Sequence, residues 1–376
     1  MIALARKSVI YEWRKFLPAL LSVAFAALLL IVQSALLSGI FQSASIPVRA
    51  SAADIWLATA GSQSVDLGNL LANDAQLLLM RDSRVRQVEG YRWISADWHT
   101  ESRAGTAAVV VSAIATAPGS LMFANAISAD LRALLRRPDS VLVDRADAEN
   151  LGAHVAGFAV INGHRVHVVG MTSGLRALGG ASVLCSLQTG QAIDPPAFVD
   201  HRYTYFVAAL ASANDAEATL LALRSRLPQQ YKLMSAHDFA VQTEHYWMLE
   251  TGAGVGYLFL GLVVLVVGAV VSSQALSGAI NASIKEYVML LALGVSARSL
   301  AKVVLEQSGY IGFAGAIFGG LMSMTIVTFA QSYDVPMALD WVNVLSIAML
   351  CILLSVVSGL WTLRGIRRAE LASLLR

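Results

Sequence analysis

The chain has 376 residues, of which 56% are hydrophobic and only 14% charged, with a formal net charge of +2. Soluble domains carry roughly 25% charged residues. This composition, with a mean hydropathy of +0.62, therefore excludes a wholly soluble protein and marks a membrane protein. Nucleic acid is not an expected partner.

A spanning helix needs about 20 residues without charge, because each residue rises 1.5 Å through a hydrocarbon core about 30 Å thick. Four stretches qualify: Leu17 to Phe41, Thr251 to Ile284, Gln307 to Tyr333 and Trp341 to Leu363. The first follows a basic segment, Arg6 to Lys15, and precedes Ala50-Ser51-Ala52, which together outline a signal peptide and its cleavage site. Its apolar run of 25 residues exceeds the ~7–15 of such signals, so it is expected to persist as a span. Of the 27 Lys and Arg, 16 lie in residues 42–250, and the other 11 precede the first stretch, separate the second from the third, or follow the fourth. The turn between the third and fourth holds only Asp334 and Asp340. Basic residues accumulate on the cytoplasmic side, so both termini are expected there. The layout is a cytoplasmic segment 1–16, TM1 at 17–41, an outer domain with its stalk at 42–250 and TM2 at 251–277. A cytoplasmic loop at 278–302, TM3 at 303–330, an outer turn at 331–340, TM4 at 341–363 and a cytoplasmic tail at 364–376 complete it.

Within the outer domain, Ile55 to Ala58 reads as a strand, Leu67 to Arg81 as a helix, and Val85 to Ile94 and Ala107 to Ile114 as β-branched strands. Ser128 to Arg137 is helical and stops before Pro138. Val141 to Val143, Phe158 to Ile161 and Val166 to Val169 are strands, the last two joined by an Asn162-Gly163 turn. Tyr203 to Leu210 is a strand, Asp215 to Leu227 a helix and Tyr231 to Met234 a strand. The pattern is α+β, with βαβ-like units at both ends and a mostly β insertion between them. Phe239 to Trp247 is helical and is expected to run directly into the second span as a rigid stalk.

Chemistry is sparse. His164 and His167 form an HxxH pair, but on a strand that spacing puts them on opposite faces, and no metal site is expected. The other histidines are scattered, no GxSxG elbow is present, and Cys185 and Cys351 imply no disulfide framework. The glycines of Gly252-Ala-Gly254-Val-Gly256 open a span and do not follow a strand, so helix packing through Gly252 and Gly256 explains them better than a phosphate loop. Gly315 and Gly319 make a second such face, and generic membrane-helix glycine is the alternative for both. The four stretches hold no Asp, Glu, Lys or Arg, whereas ion-coupled carriers need ionisable groups in the bilayer. With no GxxxxGK[ST] either, energy for any transport comes from another chain.

Between the second and third stretches, Ile284, Val288, Leu291 and Val295 fall on one helical stripe, with Lys285 and Glu286 beside it. Gly294 ends this helix, and Ser296 can cap the next. Such a helix either plugs into a groove on a partner or lies in the headgroups. Glu286-Tyr287-Val288-Met289-Leu290-Leu291-Ala292-Leu293-Gly294 resembles the E-x-x-x-L-(R/K)-A-x-G signature of FtsX-like ABC transporter permeases, which include MacB-type exporters and Lol-type lipoprotein extractors. One span, a large outer domain and three further spans is also their arrangement. Tyr246-Trp247, Thr251-Gly252 with Gly256, Gln274-Ala275-Leu276, Lys285-Glu286-Tyr287 and Glu306-Gln307-Ser308 resemble, in order, blocks of the DevC-type subfamily. Val141 to Arg145 with Gly163 to Gly170 resembles its outer-domain core. Leu291 stands where the family usually has Arg or Lys, and Val255 stands where Ile is common.

The resemblance implies a membrane protein with four transmembrane helices and a large α+β, MacB-like periplasmic domain between the first two. It implies a bacterial inner-membrane permease that is not itself an enzyme, working as a homodimer with a separate ABC ATPase that holds ATP and Mg. This chain would bind no cofactor. Residues 284–294 would be the coupling helix, with Ile284, Tyr287, Val288 and Leu291 in the ATPase groove and Glu286 capping or pairing with a base at its rim. Export of a lipid, glycolipid or other amphiphile would proceed by mechanotransmission through an HlyD-type periplasmic adaptor and a TolC-like outer-membrane duct. The alternatives are an FtsX-like regulator of a cell-wall hydrolase and a Lol-type extractor.

Overall fold

A computed structural model describes residues 11–100, 103–196, 202–212, 216–283, 286, 289, 293 and 295–373. The chain forms two compact units, Ile40–Gly254 and the pair Met1–Gly39 with Val255–Arg376.

The first unit is the inserted domain. It begins after helix α1 (Trp13–Ala44) with the short helix α2 (Ile46–Arg49), then strand β1 (Ile55–Thr59), helix α3 (Asp74–Met80) and strands β2 (Val85–Thr100) and β3 (Arg103–Ile114). Helix α4 (Ala129–Leu134), strand β4 (Ser140–Asp144), helix α5 (Arg145–Leu151) and strands β5 (Phe158–Ile161), β6 (His164–Thr172) and β7 (Ala181–Ser186) follow. Helix α6 (Leu187–Ile193), strand β8 (Tyr205–Leu210), helix α7 (Ala216–Arg224), strand β9 (Tyr231–Ser235) and helix α8 (Ala236–His245) close it.

Strand β1 lies between β8 and β9, antiparallel to both, and β8 pairs on its other side with the first half of β2. The order β9-β1-β8-β2, with α3 and α7 as crossovers, is a split βαβ sheet of ferredoxin-like topology. Its two central strands, β1 and β8, are buried on both faces, with alternate side chains packing against opposite layers. Ile55, Leu57, Phe206, Ala208 and Leu233 pack with Leu79 and Leu220 from the crossover helices, whereas Trp56, Val207 and Met234 pack with Phe239 of α8. Trp56, Tyr91, Tyr205 and Phe239 meet with ring centroids 5.5–6.1 Å apart. Such pairs add ~0.5–1.5 kcal/mol each beyond area burial. The Tyr205 hydroxyl donates to the carbonyls of Ser64 and Val65, and burial pushes it well above the usual phenol range.

The second half of β2 leaves this sheet and pairs with β3; the ladder then runs β3-β7-β4-β6-β5 and returns to β2. A six-stranded barrel results, without a free edge. Its interior holds Ile94, Trp98, Val111, Val143, Val166 and Val183, and the Trp98 indole donates to the Leu151 carbonyl at 3.0 Å. Asn162 and Gly163 both have positive φ, +48° and +81°, as the expected two-residue hairpin turn demands. The helix expected over Leu67 to Arg81 begins only at Asp74. Leu71 is instead bridged to Tyr203 by two backbone hydrogen bonds of 2.7 and 3.3 Å, and this tertiary pairing overrides the apolar spacing.

The second unit holds α1, α9 (Gly252–Ala282), α10 (Ala297–Gln331) and α11 (Trp341–Ser373). All four contain segments long and apolar enough to cross a membrane, which makes the chain a multi-pass membrane protein with an α+β domain between its first two spans. In its most apolar window α1 is 33% buried and α9 only 6%, so α1 is central to this unit. Phe16, Ala19, Val23 and Ala27 of α1 contact a core with Leu276, Ile280, Val304, Ile311 and Cys351.

Candidate functional site

Two parts of the structure bear on function: the connection between α9 and α10, and the two joints where the inserted domain continues into spans. The connection carries the expected coupling residues. Ile284, Lys285, Tyr287, Val288, Leu291 and Gly294 lie outside the described residues. Glu286, Met289 and Leu293 are described, and the Leu293 N–H donates to the Met289 carbonyl at 3.0 Å. Met289 and Leu293 are 66% and 76% exposed, and a spacing of four residues puts them on one helical face. That apolar pair lies off the stripe expected from the sequence. Ser296 caps α10 as expected, its hydroxyl accepting the Ser299 N–H.

Glu286 has a partner inside the chain. The Lys15 ammonium, near the start of α1, is 2.6 Å from the Glu286 carboxylate and 3.1 Å from Glu12. The hydrogen bond from Lys15 holds the Glu286 carboxyl below its usual range. Two segments 271 residues apart in sequence are thereby tied near the start of α1. No local pattern signals a pair so distant in sequence, and Lys15 is absent from the residues picked by sequence reasoning.

The two joints differ. At the entry, Ser45 ends the first long helix and α2 follows. Arg49 forms a salt bridge of 2.7 Å with Glu244 on α8, and its Nε–H also lies 3.0 Å from the Ser45 hydroxyl, which donates to Glu244 at 2.5 Å. At the exit, α8 gives way to a π-helical turn, Tyr246–Glu250, and then Thr251 is extended at φ −99° and ψ 146°. The continuous stalk expected from Phe239 onward is therefore broken. Thr251 acts as an N-cap for α9: its hydroxyl accepts the Gly254 N–H at 3.1 Å and donates to the Trp247 carbonyl at 2.6 Å. The Trp247 indole donates to Asp66 at 3.2 Å, holding the turn to the domain.

Glycine serves different ends at these places. A β-carbon at Gly254 would overlap the carbonyl oxygens of Trp247 and Met248, whereas Gly252 and Gly256 face open space. Gly254 is thus the residue the break requires. Gly315 and Gly319 of α10 lie against α1: a β-carbon at Gly315 would sit 2.8 Å from Val23, and one at Gly319 would overlap the Ala24 carbonyl. Close backbone approach of this kind is how small residues join membrane helices.

Residues 258–371 match the family described as FtsX-like permease C-terminal. This FtsX-like segment takes in most of α9, the whole connection, α10 and nearly all of α11. Among solved structures, the periplasmic region of MacB from Actinobacillus actinomycetemcomitans aligns with 52% of this chain and 95% of its own, at 14% identity and a TM-score of 0.37. The extracellular domain of the noncanonic ABC-type transporter YknZ from Gram-positive bacteria aligns with 48% and 98%, at 14% identity and a TM-score of 0.33. No curated protein matches the chain.

Proposed function

We propose that the chain is the permease subunit of an ABC exporter that works by mechanotransmission. The observation that carries this reading is the FtsX-like segment together with its setting: two of the four apolar spans and most of a third lie within it, and the first is separated from them by the inserted α+β domain. In this reading the protein sits in the bacterial inner membrane with both termini and the connection in the cytoplasm, and the inserted domain faces the periplasm. The distribution of Lys and Arg supports that orientation. A homodimer would associate with two copies of a separate ATPase, which binds ATP and Mg and performs the hydrolysis. This chain itself is not a catalyst and binds no cofactor.

Residues 284–294 would be the coupling helix, with Met289 and Leu293 extending its apolar contact and Lys15 setting the position of Glu286. Motion delivered there would pass along α1 and α9 to the inserted domain, which would drive a lipid, glycolipid or other amphiphile into an HlyD-type adaptor and a TolC-like duct, as in DevC-type systems. The break at Thr251 changes how motion would arrive: the second span would pull through a capped joint, not push as a continuous rod.

The test is co-expression with the ATPase subunit that copurifies with wild type, comparing wild type with Leu291→Glu. Burying an unpaired charge in a desolvated groove costs several kcal/mol, so copurification and stimulated ATP hydrolysis should both collapse. Undiminished copurification would refute the coupling role.

A further inference from the structure

A cavity of about 500 Å³ opens at one side of the barrel, within the ~300–1,000 Å³ typical of small-ligand sites. Three parts of the barrel build it. Strand β2 contributes His99, the loop after α5 contributes His154, and β5 and β6 contribute Phe158 and Arg165. The loop is held in a demanding conformation. Ala156 has φ +66°, a left-handed geometry that is strained for a residue with a β-carbon, and its N–H is fixed on the Val168 carbonyl at 2.8 Å. At the next position a β-carbon on Gly157 would stand 2.8 Å from His154 Nε2, so glycine is what lets the imidazole lie against the backbone. Strain of this kind gathers at ligand sites.

The groups around the cavity share one electrostatic preference. The Arg165 guanidinium lies 4.2 Å from the centroid of Phe158, a ring that is 56% exposed and backed by His167 at 5.0 Å. Stacking fixes a guanidinium while leaving its fork of in-plane donors open. Neither the Arg165 nor the His154 side chain has a hydrogen-bond or ion-pair partner among the described residues. His99 Nδ1 is committed to the Gly105 carbonyl at 3.0 Å, which orients that ring. No Asp or Glu is among the described lining residues.

We propose that this cavity binds an anionic amphiphile, a carboxylate or phosphate monoester on an apolar tail. Its acid group sits on Arg165 and His154, and its tail lies along the Phe158 ring. The site stands independently of the ATPase-coupled reading, because it needs only the inserted domain's own residues.

Equilibrium dialysis of the full chain in lipid nanodiscs, with empty nanodiscs subtracted, tests it with radiolabelled octanoate, octyl phosphate and octylammonium. Saturable binding of one or both anions and none of the ammonium is expected, and the two anion arms distinguish carboxylate from phosphate. Arg165→Gln should weaken the bound anion about 10-fold or more, the scale of one charge-assisted hydrogen bond, with Arg165→Lys recovering part of the loss. Phe158→Ser should weaken it through the tail while leaving the discrimination against octylammonium intact. Arg165 and Phe158 lie at the surface, so circular dichroism should show both variants folded. Absence of saturable anion binding, equal binding of octylammonium, or full affinity in a folded Arg165→Gln variant would overturn the proposal.

Discussion

The inserted domain is joined to its two flanking spans in opposite ways. At the entry, a carboxylate, a guanidinium and a hydroxyl interlock, so α2 is bolted to α8 by side chains that reach between elements. At the exit, the chain makes a π-helical turn, extends for one residue and restarts as a helix capped by near neighbours in sequence, with the turn held to the domain by the hydrogen bond from Trp247 to Asp66. The entry joint thus rests on side-chain pairing between α2 and α8, whereas the exit joint rests on a backbone break and its local cap.

The largest expected effect comes from filling the space the break requires. Gly254→Val should destabilise the full chain in detergent by about 1–3 kcal/mol, the scale of overpacking, whereas Gly252→Val and Gly256→Val, which face open space, should not. Equal effects at all three positions, measured by thermal unfolding, would dissolve the distinction between the joints. Next is Thr251→Ala, which removes the cap and should cost about 1 kcal/mol. Hydrogen exchange should accelerate at the Gly254 amide and remain slow in the β1 and β8 strands. Smaller again is Glu244→Gln. This partly exposed pair should contribute up to about 1 kcal/mol, and the loss should shrink as salt rises if the entry joint is electrostatic. A pair remote from both joints sharpens the reading of pH effects. Arg84 holds the Asp82 carboxyl at about 2, against 3.8 unperturbed. Its stabilisation is complete above that ordinary value and disappears as pH falls through 2. Asp82→Asn should therefore lower stability by a constant amount above about pH 4 and flatten the acid limb of the pH–stability curve below it, and any slope between pH 5 and 7 must originate elsewhere.

These joints also show what the sequence could and could not disclose. Charge-free stretches identified the four apolar helices because the bilayer imposes length and composition directly. The Asn162-Gly163 hairpin was legible because its turn needs positive φ at both residues. The split βαβ halves were foreshadowed by strand and helix runs at each end of the domain, although nothing local shows that β2 serves two sheets. The break at Thr251 hid inside a helical pattern that runs without Gly or Pro from Phe239 to Glu250. Its available sign was a threonine directly before an apolar run with glycine three residues later, an N-cap reading. Leu71 and Lys15 could not be placed, since the partners that decide their roles, Tyr203 and Glu286, lie far along the chain.

The position of β1 dictates when the inserted domain can fold. Trp56 is registered against Val207 on one side and Met234 on the other, so the central strand has no neighbour until the ribosome has made nearly the whole domain. Closing such a long loop is entropically costly and slow. During synthesis β1 therefore has no partner strand until β8 and β9 are made, after every strand of the barrel. The four-stranded sheet, and with it the docking of α8, cannot close until the chain has passed Ser235, just ahead of the second span.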